Sequence, residues 1–315
     1  MTSASIRAVL PTPTSVLAPV PHISVCICTY KRPHLLLLLL EELAKQESAG
    51  LFTYSAVVVD NDREQSAAAA VQEFTSRSEM PVTYCVEREQ GISLARNKAI
   101  ANATGNFIAF IDDDEFPTSN WLLTLFQTLH QHGVDGVLGP VNPHFAASAP
   151  RWVRQGGFYD RPSYPTGMVI DGSKGRTGNV LLTRKLFDLS EAAFRAEFRT
   201  GEDQDFFGRM IASGHTFIWC HEAVAFETIP PIRWKRTFMI RRAALQGSNS
   251  VLRDNSVRFI AKSVVAVAAY AIALPFALLM GQSRFMKLFL KLCYHAGRLL
   301  AVAGIDPVKE KYITE

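Results

Sequence analysis

Short unbroken apolar runs alternate along this chain with segments whose apolar residues fall at helical spacing. His22–Thr29 is a β-rich run that ends at the turn Tyr30-Lys31-Arg32-Pro33. Pro33 suits the first turn of a helix, which 35–44 continues; the six leucines at 35–40 leave it no polar face, so it is expected to be largely buried. Strands are predicted at 55–59, Val82–Val86, Phe107–Ile111 and Gly136–Leu138, with helices between them at 64–77, 92–103 and 119–132. This alternation describes an α/β layered sheet. No Gly-x-Gly-x-x-Gly follows the first strand and no Gly-x-x-x-x-Gly-Lys occurs anywhere, so neither common glycine-rich phosphate loop is available.

Beyond residue 139 the rhythm breaks. Residues 140–175 are rich in Pro, Gly and aromatics and read as a long loop able to wrap a substrate. Shorter elements are predicted at 180–182, 206–212 and 217–220, then a basic helix at 233–250. Residues 263–280 carry no charge and reach the minimum length for a membrane span, with Pro275 inside. Residues 284–303 form a basic amphipathic segment suited to an anionic membrane surface. Membrane attachment is the expectation; a helical hairpin packed on the domain is the alternative.

Composition narrows the picture. The 315 residues are 48% hydrophobic and 20% charged, enough to bury a sizeable core, and the net charge of +4 does not suggest a nucleic-acid partner. Acids gather at 60–62, 112–115 and 202–205, and bases after 230. Five cysteines, four of them in apolar runs and with no second pair to complete a zinc set, point to free thiols in a reducing compartment. Residues 1–21 lack a charged head before an apolar core and are expected to be a disordered leader on a cytoplasmic chain.

The candidate chemistry sits where Phe107–Ile111 runs into Asp112-Asp113-Asp114-Glu115. Four acids at the carboxyl end of a buried strand repel one another unless a cation lies among them, and ligands of open α/β sheets bind at that edge. A divalent-metal site holding a phosphorylated ligand and a solvated acidic turn are both open on this run alone. Asp60 after the second strand, and Glu202-Asp203 before a later helix, add carboxylates at loop positions. One acid for a ligand, one for a metal and one as proton acceptor together describe transfer from a nucleotide-activated donor.

The pieces Ile23-Ser24-Val25-Cys26-Ile27-Cys28-Thr29-Tyr30-Lys31-Arg32, Val58-Val59-Asp60-Asn61-Asp62, Gly91-Ile92-Ser93-Leu94-Ala95-Arg96-Asn97, Phe110-Ile111-Asp112-Asp113-Asp114-Glu115 and Gly201-Glu202-Asp203 resemble, in order and spacing, a family 2 glycosyltransferase. Arg176-Thr177-Gly178-Asn179-Val180, Gly201 to Phe207 and Arg241-Arg242-x-x-x-Gln246-Gly247 are similar to bacterial exopolysaccharide glucosyltransferases of the succinoglycan type. The resemblance implies a GT-A fold, a mixed and mostly parallel sheet flanked by helices, with membrane-associating helices at the C-terminus. It implies that Thr29, Arg32, Asp60, Arg96, Asp112 and Asp113 serve the nucleotide-sugar. Asp114, with Asp112, would ligate Mg²⁺ or Mn²⁺, and Asp113 and Glu115 would hold the turn. Asp203, with Glu202 beside it, would deprotonate the acceptor and invert the anomeric centre.

Bland alternatives stand beside these roles. Asp60 could cap a helix, Arg96 could be a surface residue, and Asp203 could cap the helix at Phe206 with Asp205 as base. Trp234, with Arg233, is the candidate acceptor platform. Pro230 stands where processive synthases of this kind carry the Gln of a Gln-x-x-Arg-Trp motif, which favours a single addition. The expected organisation is a leader at 1–21, a transferase domain at 22–255 and a membrane-associating region at 256–315. The expected partners are a UDP-sugar donor, a polyprenyl-diphosphate-linked saccharide acceptor and the cytoplasmic face of the bacterial inner membrane. A nucleotidyltransferase acting on a sugar phosphate, or a non-catalytic scaffold, is the alternative.

Overall fold

The computed structural model describes residues 19–188, 192–197, 201–253 and 256–305. All but the last three residues of the expected leader, and the expected domain boundary at 255/256, lie outside or at the edge of these segments. Apolar runs form β1 (His22–Thr29), β2 (Thr53–Asp60), β3 (Val82–Val86) and β4 (Phe107–Ile111), all parallel in the spatial order β3-β2-β1-β4. Helices α1 (Pro33–Leu43), α2 (Ala68–Thr75) and α3 (Ile92–Asn102) connect them. After β5 (Glu115–Pro117), α4 (Trp121–His132) and β6 (Gly136–Leu138) come β7 (Val141–His144) and the one-turn α5 (Arg151–Arg154). Then follow β8 (Asn179–Thr183), α6 (Glu202–Ala212), β9 (Phe217–Trp219) and β10 (Ala225–Thr228). β8 inserts antiparallel between β4 and β6, and β9 pairs parallel with β6, so the main sheet reads β3-β2-β1-β4-β8-β6-β9.

Alternation along β1 sends Ile23, Val25 and Ile27 into a core shared with α1, α2 and α4, while Cys26 joins Val57, Val59 and the α3 and α6 residues on the other face. The leucine run divides as helical spacing dictates. Leu35, Leu36, Leu39, Leu40 and Leu43 are buried, and Leu38 is 54% exposed. The five cysteines are free. Residues 140–175 are not one loop: they contain β7, α5 and a 3-10 turn at Gly172–Lys174.

A second sheet, β5-β10-β7, lies beside the acidic turn, with β10 antiparallel to β5 and parallel to β7. Asn179 ties the two sheets together. Its amide donates to the carbonyls of Pro140 and Ala223 at 2.9 and 2.8 Å, and its oxygen accepts from the buried Trp121 indole at 2.7 Å. The chain then forms three long helices, α7 (Arg236–Arg253), α8 (Val257–Leu279) and α9 (Gln282–Val302), with α9 packed against both α7 and α8.

Candidate active site

The parallel register places Thr29 opposite Asp60, and β4 delivers Asp112 to the same edge of the sheet. The backbone turns sharply there: Glu115 N–H donates to the Asp112 carbonyl at 3.0 Å, and Glu115 Oε2 accepts from Asp112 N–H at 3.2 Å. Gly178 passes directly over this turn. A Cβ at that position would stand 2.8 Å from Glu115 Oε1 and 3.1 Å from Asp112 Oδ2, so a side chain there would have to displace these carboxyls.

Each buried acid has a cationic or hydroxyl partner. Thr29 Oγ1 donates to Asp113 at 2.7 Å, and Arg32 reaches Asp113 and Asp114 at 3.2 Å each. Arg233 bridges Asp114 at 3.3 Å and Glu227 at 2.7 Å. Glu227 lies directly across β10 from Glu115, and Arg161 spans the pair at 2.5 and 3.7 Å. Asp112 alone of the five acids is open, its side chain 44% exposed.

Burial shifts these groups. It pushes Asp114 up to about 7, with the charges of Asp112, Asp113 and Glu227 adding to the effect and Arg32 opposing it. Burial also raises Asp113 to about 6 against Arg32 and the Thr29 hydroxyl, and lifts the Glu115 carboxyl well above its usual range. Glu115 Oε1 is buried with no hydrogen-bond partner. This excess of hard oxygen donors suits a divalent cation held by one or two carboxylates and completed by a diphosphate. Asp112 has the open oxygens for it, and Asp114 adjoins. Among the described residues no three His, Cys, Asp or Glu side chains enclose an ion by themselves.

Arg96 links this turn to α6. It is buried on α3, pairs with Glu202, and lies 3.9 Å from Asp112. Burial disfavours its charge, yet Asp112, Glu202, Cys28 and Asp203 together raise its pKa; Asp203 is the residue after Glu202 in the first turn of α6. Asp203 is half-buried and accepts the Gln204 N–H at 2.8 Å. Asp205 is taken by Arg209 at 2.9 Å and Arg195 at 3.7 Å. The three acids in the first turn of α6 also favour its N-terminal dipole.

The structure therefore gathers Thr29, Arg32, Arg96, Asp112, Asp113, Asp114, Glu202, Asp203 and Arg233. Arg96 is not a surface residue. Asp60 is fully buried: its oxygens accept from Asp62 N–H, Ala67 N–H and Tyr84 O–H at 3.0, 2.8 and 3.0 Å, so it organises the loop before α2. Trp234 donates its indole N–H to the Ile229 carbonyl at 3.0 Å and packs with Val153, Met239 and Met286, away from the acidic turn's contacts. Arg233 is bonded to acids instead of facing an open platform. Sequence reasoning missed Glu227 and Arg161: each is a single charge, brought to Glu115 by strand pairing and by an ion pair that no local pattern announces.

Residues 24–185 match the family described as Glycosyl transferase family 2. The chain is also 36% identical, over 72% of its length and 73% of the relative's, to the succinoglycan biosynthesis protein ExoM of Rhizobium meliloti. The chain belongs to glycosyl transferase family 2. This glycosyltransferase is 26% identical to the glycosyltransferase AglE of Haloferax volcanii over 61% of its length and 63% of the relative's. Its fold is that of GT-A enzymes. The mannosyltransferase PcManGT of Pyrobaculum calidifontis, solved with GDP-Man and Mn²⁺, superposes with a TM-score of 0.60 at 17% identity, covering 90% of this chain and 87% of that one. The 1–349 piece of S. aureus TarS, solved with UDP, gives 0.52 at 17% identity, covering 91% and 94%. Against the full TarS chain the coverage is 72% of this chain and 40% of that one.

Proposed function

We propose that this family 2 glycosyltransferase is an inverting enzyme of exopolysaccharide biosynthesis. It moves a hexose, glucose as the leading candidate, from a UDP-sugar to a saccharide carried on polyprenyl diphosphate, at the cytoplasmic face of the inner membrane. The ExoM similarity supports the pathway class, and family membership favours sugar transfer over the nucleotidyltransferase and scaffold readings. The observation that carries the mechanism is the separation of acids. Asp113, Asp114, Glu115 and Glu227 are tied to arginines or to the turn and Asp112 is the open acid of that turn, while Asp203 follows the Arg96-bound Glu202 on another element, α6, with no ion pair among the described residues.

Asp203 takes the proton of the acceptor hydroxyl, whose oxygen attacks the anomeric carbon as the bond to the diphosphate breaks. Attack opposite the leaving group turns an α-linked donor into a β-linked product. Arg96 and Arg32, beside the open Asp112, meet negative charge on the departing UDP. Mg²⁺ or Mn²⁺, when bound, supplies Lewis-acid stabilisation of that leaving group, and Asp112 with Asp114 are the residues that would hold it.

Among the described residues one helix, α8, is long and apolar enough to cross a membrane, with mean hydropathy 1.9 and 11% of that window buried. A soluble core helix would be mostly buried, so α8 supports membrane association. A donor screen with a membrane-extracted lipid-linked acceptor tests the reading. Transfer from a UDP-sugar, abolished in Asp203→Asn, is expected; transfer undiminished in that variant would remove Asp203 as the base.

A further inference from the structure

The Arg241-Arg242-x-x-x-Gln246-Gly247 stretch has no part in the acidic turn, yet it builds a second concavity. Arg242 and Gln246, four apart and both exposed, lie on one face of α7. They line a cavity of about 310 Å³ together with Lys291 of α9 and the apolar side chains of Phe158, Met239 and Leu290. That volume is in the range of small-ligand sites. Gly247 explains how the cavity closes at one end. A Cβ there would collide with the Tyr294 backbone, and one at Gly297 with the Ala244 backbone, so α7 and α9 touch closely at these two glycines.

The cavity's charge is one-sided. Its charged lining residues are Arg242 of α7 and Lys291 of α9, and no acid lines it. Its polar wall also connects to the active site. Arg242 lies over the Tyr159 ring, 5.8 Å from its centroid, and the Tyr159 hydroxyl donates to the Arg233 carbonyl at 2.6 Å. Arg233 in turn holds Asp114. Two residues therefore separate the cationic cavity from the acidic turn. On its other side α9 packs along α8, whose Val265, Ile272, Phe276 and Leu279 face outward.

A cavity with cations on one wall, apolar side chains on another, and an exposed apolar helix beside it fits a ligand with a phosphate head and a hydrocarbon tail. We propose that it binds the diphosphate of the lipid-linked acceptor. Arg242, Gln246 and Lys291 meet the phosphate oxygens, and Phe158, Met239 and Leu290 meet the first carbons of the tail. This rests on the acceptor class proposed above. Holding the diphosphate one wall away from the acidic turn directs the saccharide end toward Asp203.

The test uses the full chain in detergent, with farnesyl diphosphate as probe in EDTA so that no ion bridges it to the acidic turn. Wild type is expected to bind it. Arg242→Gln with Lys291→Gln, both at exposed positions, is expected to weaken binding by about tenfold or more through two lost charge-assisted contacts, while UDP affinity stays unchanged. Arg242→Lys in the Lys291 background restores part of the loss. Farnesol is expected to bind weakly; inorganic diphosphate binding as tightly as farnesyl diphosphate would assign the site to a free anion and overturn the lipid source. In turnover, the double variant is expected to raise the KM for the lipid-linked acceptor with kcat retained. An unchanged acceptor KM, with transfer intact, overturns the cavity's role and leaves the reaction standing. Absence of transfer to any lipid-linked acceptor by wild type overturns the reaction itself.

Discussion

A general base must keep a lone pair clear of the protein's own cations, and of the acids that open α6 Asp203 meets that demand. Glu202 is held by Arg96 and Asp205 by Arg209 and Arg195. Replacing Asp203 by Asn is therefore expected to lower kcat by about 10²–10⁴-fold, with UDP-sugar affinity unchanged in a titration. Arg96→Ala acts differently. It strands Glu202 as a buried charge, so the expected result is a loss of about 3–5 kcal/mol in urea unfolding as well as lost activity. Arg96→Lys recovers part of both. The acids at 112–115 were legible as a run at the end of an apolar segment, and Glu202-Asp203 as an acidic pair just before a helix. Glu227 and Arg161 were not, since each is a single charge whose meaning comes from lying across from Glu115 in space. Asp60 was legible as an acid at a strand end, but its burial depends on Tyr84 of a different strand.

At the scale of elements, backbone proximity decides what a side chain can do. Gly178→Val thrusts methyls against Glu115 and Asp112, so activity is expected to fall while most stability survives; a melt and a rate measured on one preparation separate the two. Where β6 begins, Asp135 accepts from Thr216 N–H at 2.9 Å and pairs with Lys185 at 2.5 Å and His215 at 3.2 Å. Burial alone would raise its pKa, but Lys185, Thr216 and His215 overcome it and hold the carboxyl below its usual range. Because the folded value is depressed, the stability it contributes is present above the ordinary aspartate value of about 3.9 and lost as pH falls through the folded one. Asp135→Asn is expected to be less stable than wild type in urea at pH 7, with the difference closing in acid. The parallel strands and their helices could be read from the apolar runs. The second sheet could not, because β5, β7 and β10 have 3 to 4 residues each and are defined by pairing more than by pattern.

Across the whole molecule, the main sheet presents the candidate site at one edge, and the helical region carries exposed apolar surface on α8 and basic charge on α7 and α9. Apolar contact outlasts charge screening. The full chain is therefore expected to stay with anionic vesicles in flotation at about 1 M salt, where charges separated by more than about 3 Å no longer attract appreciably. Release by salt alone would show that the basic helices, and not α8, make the attachment. The most direct test of the central claim is linkage analysis of the product formed from an α-linked UDP-hexose and a lipid-linked acceptor with Mn²⁺. A β-linked sugar, formed by wild type and absent with Asp203→Asn, is the expected result; an α-linked product would contradict single inverting attack assisted by Asp203.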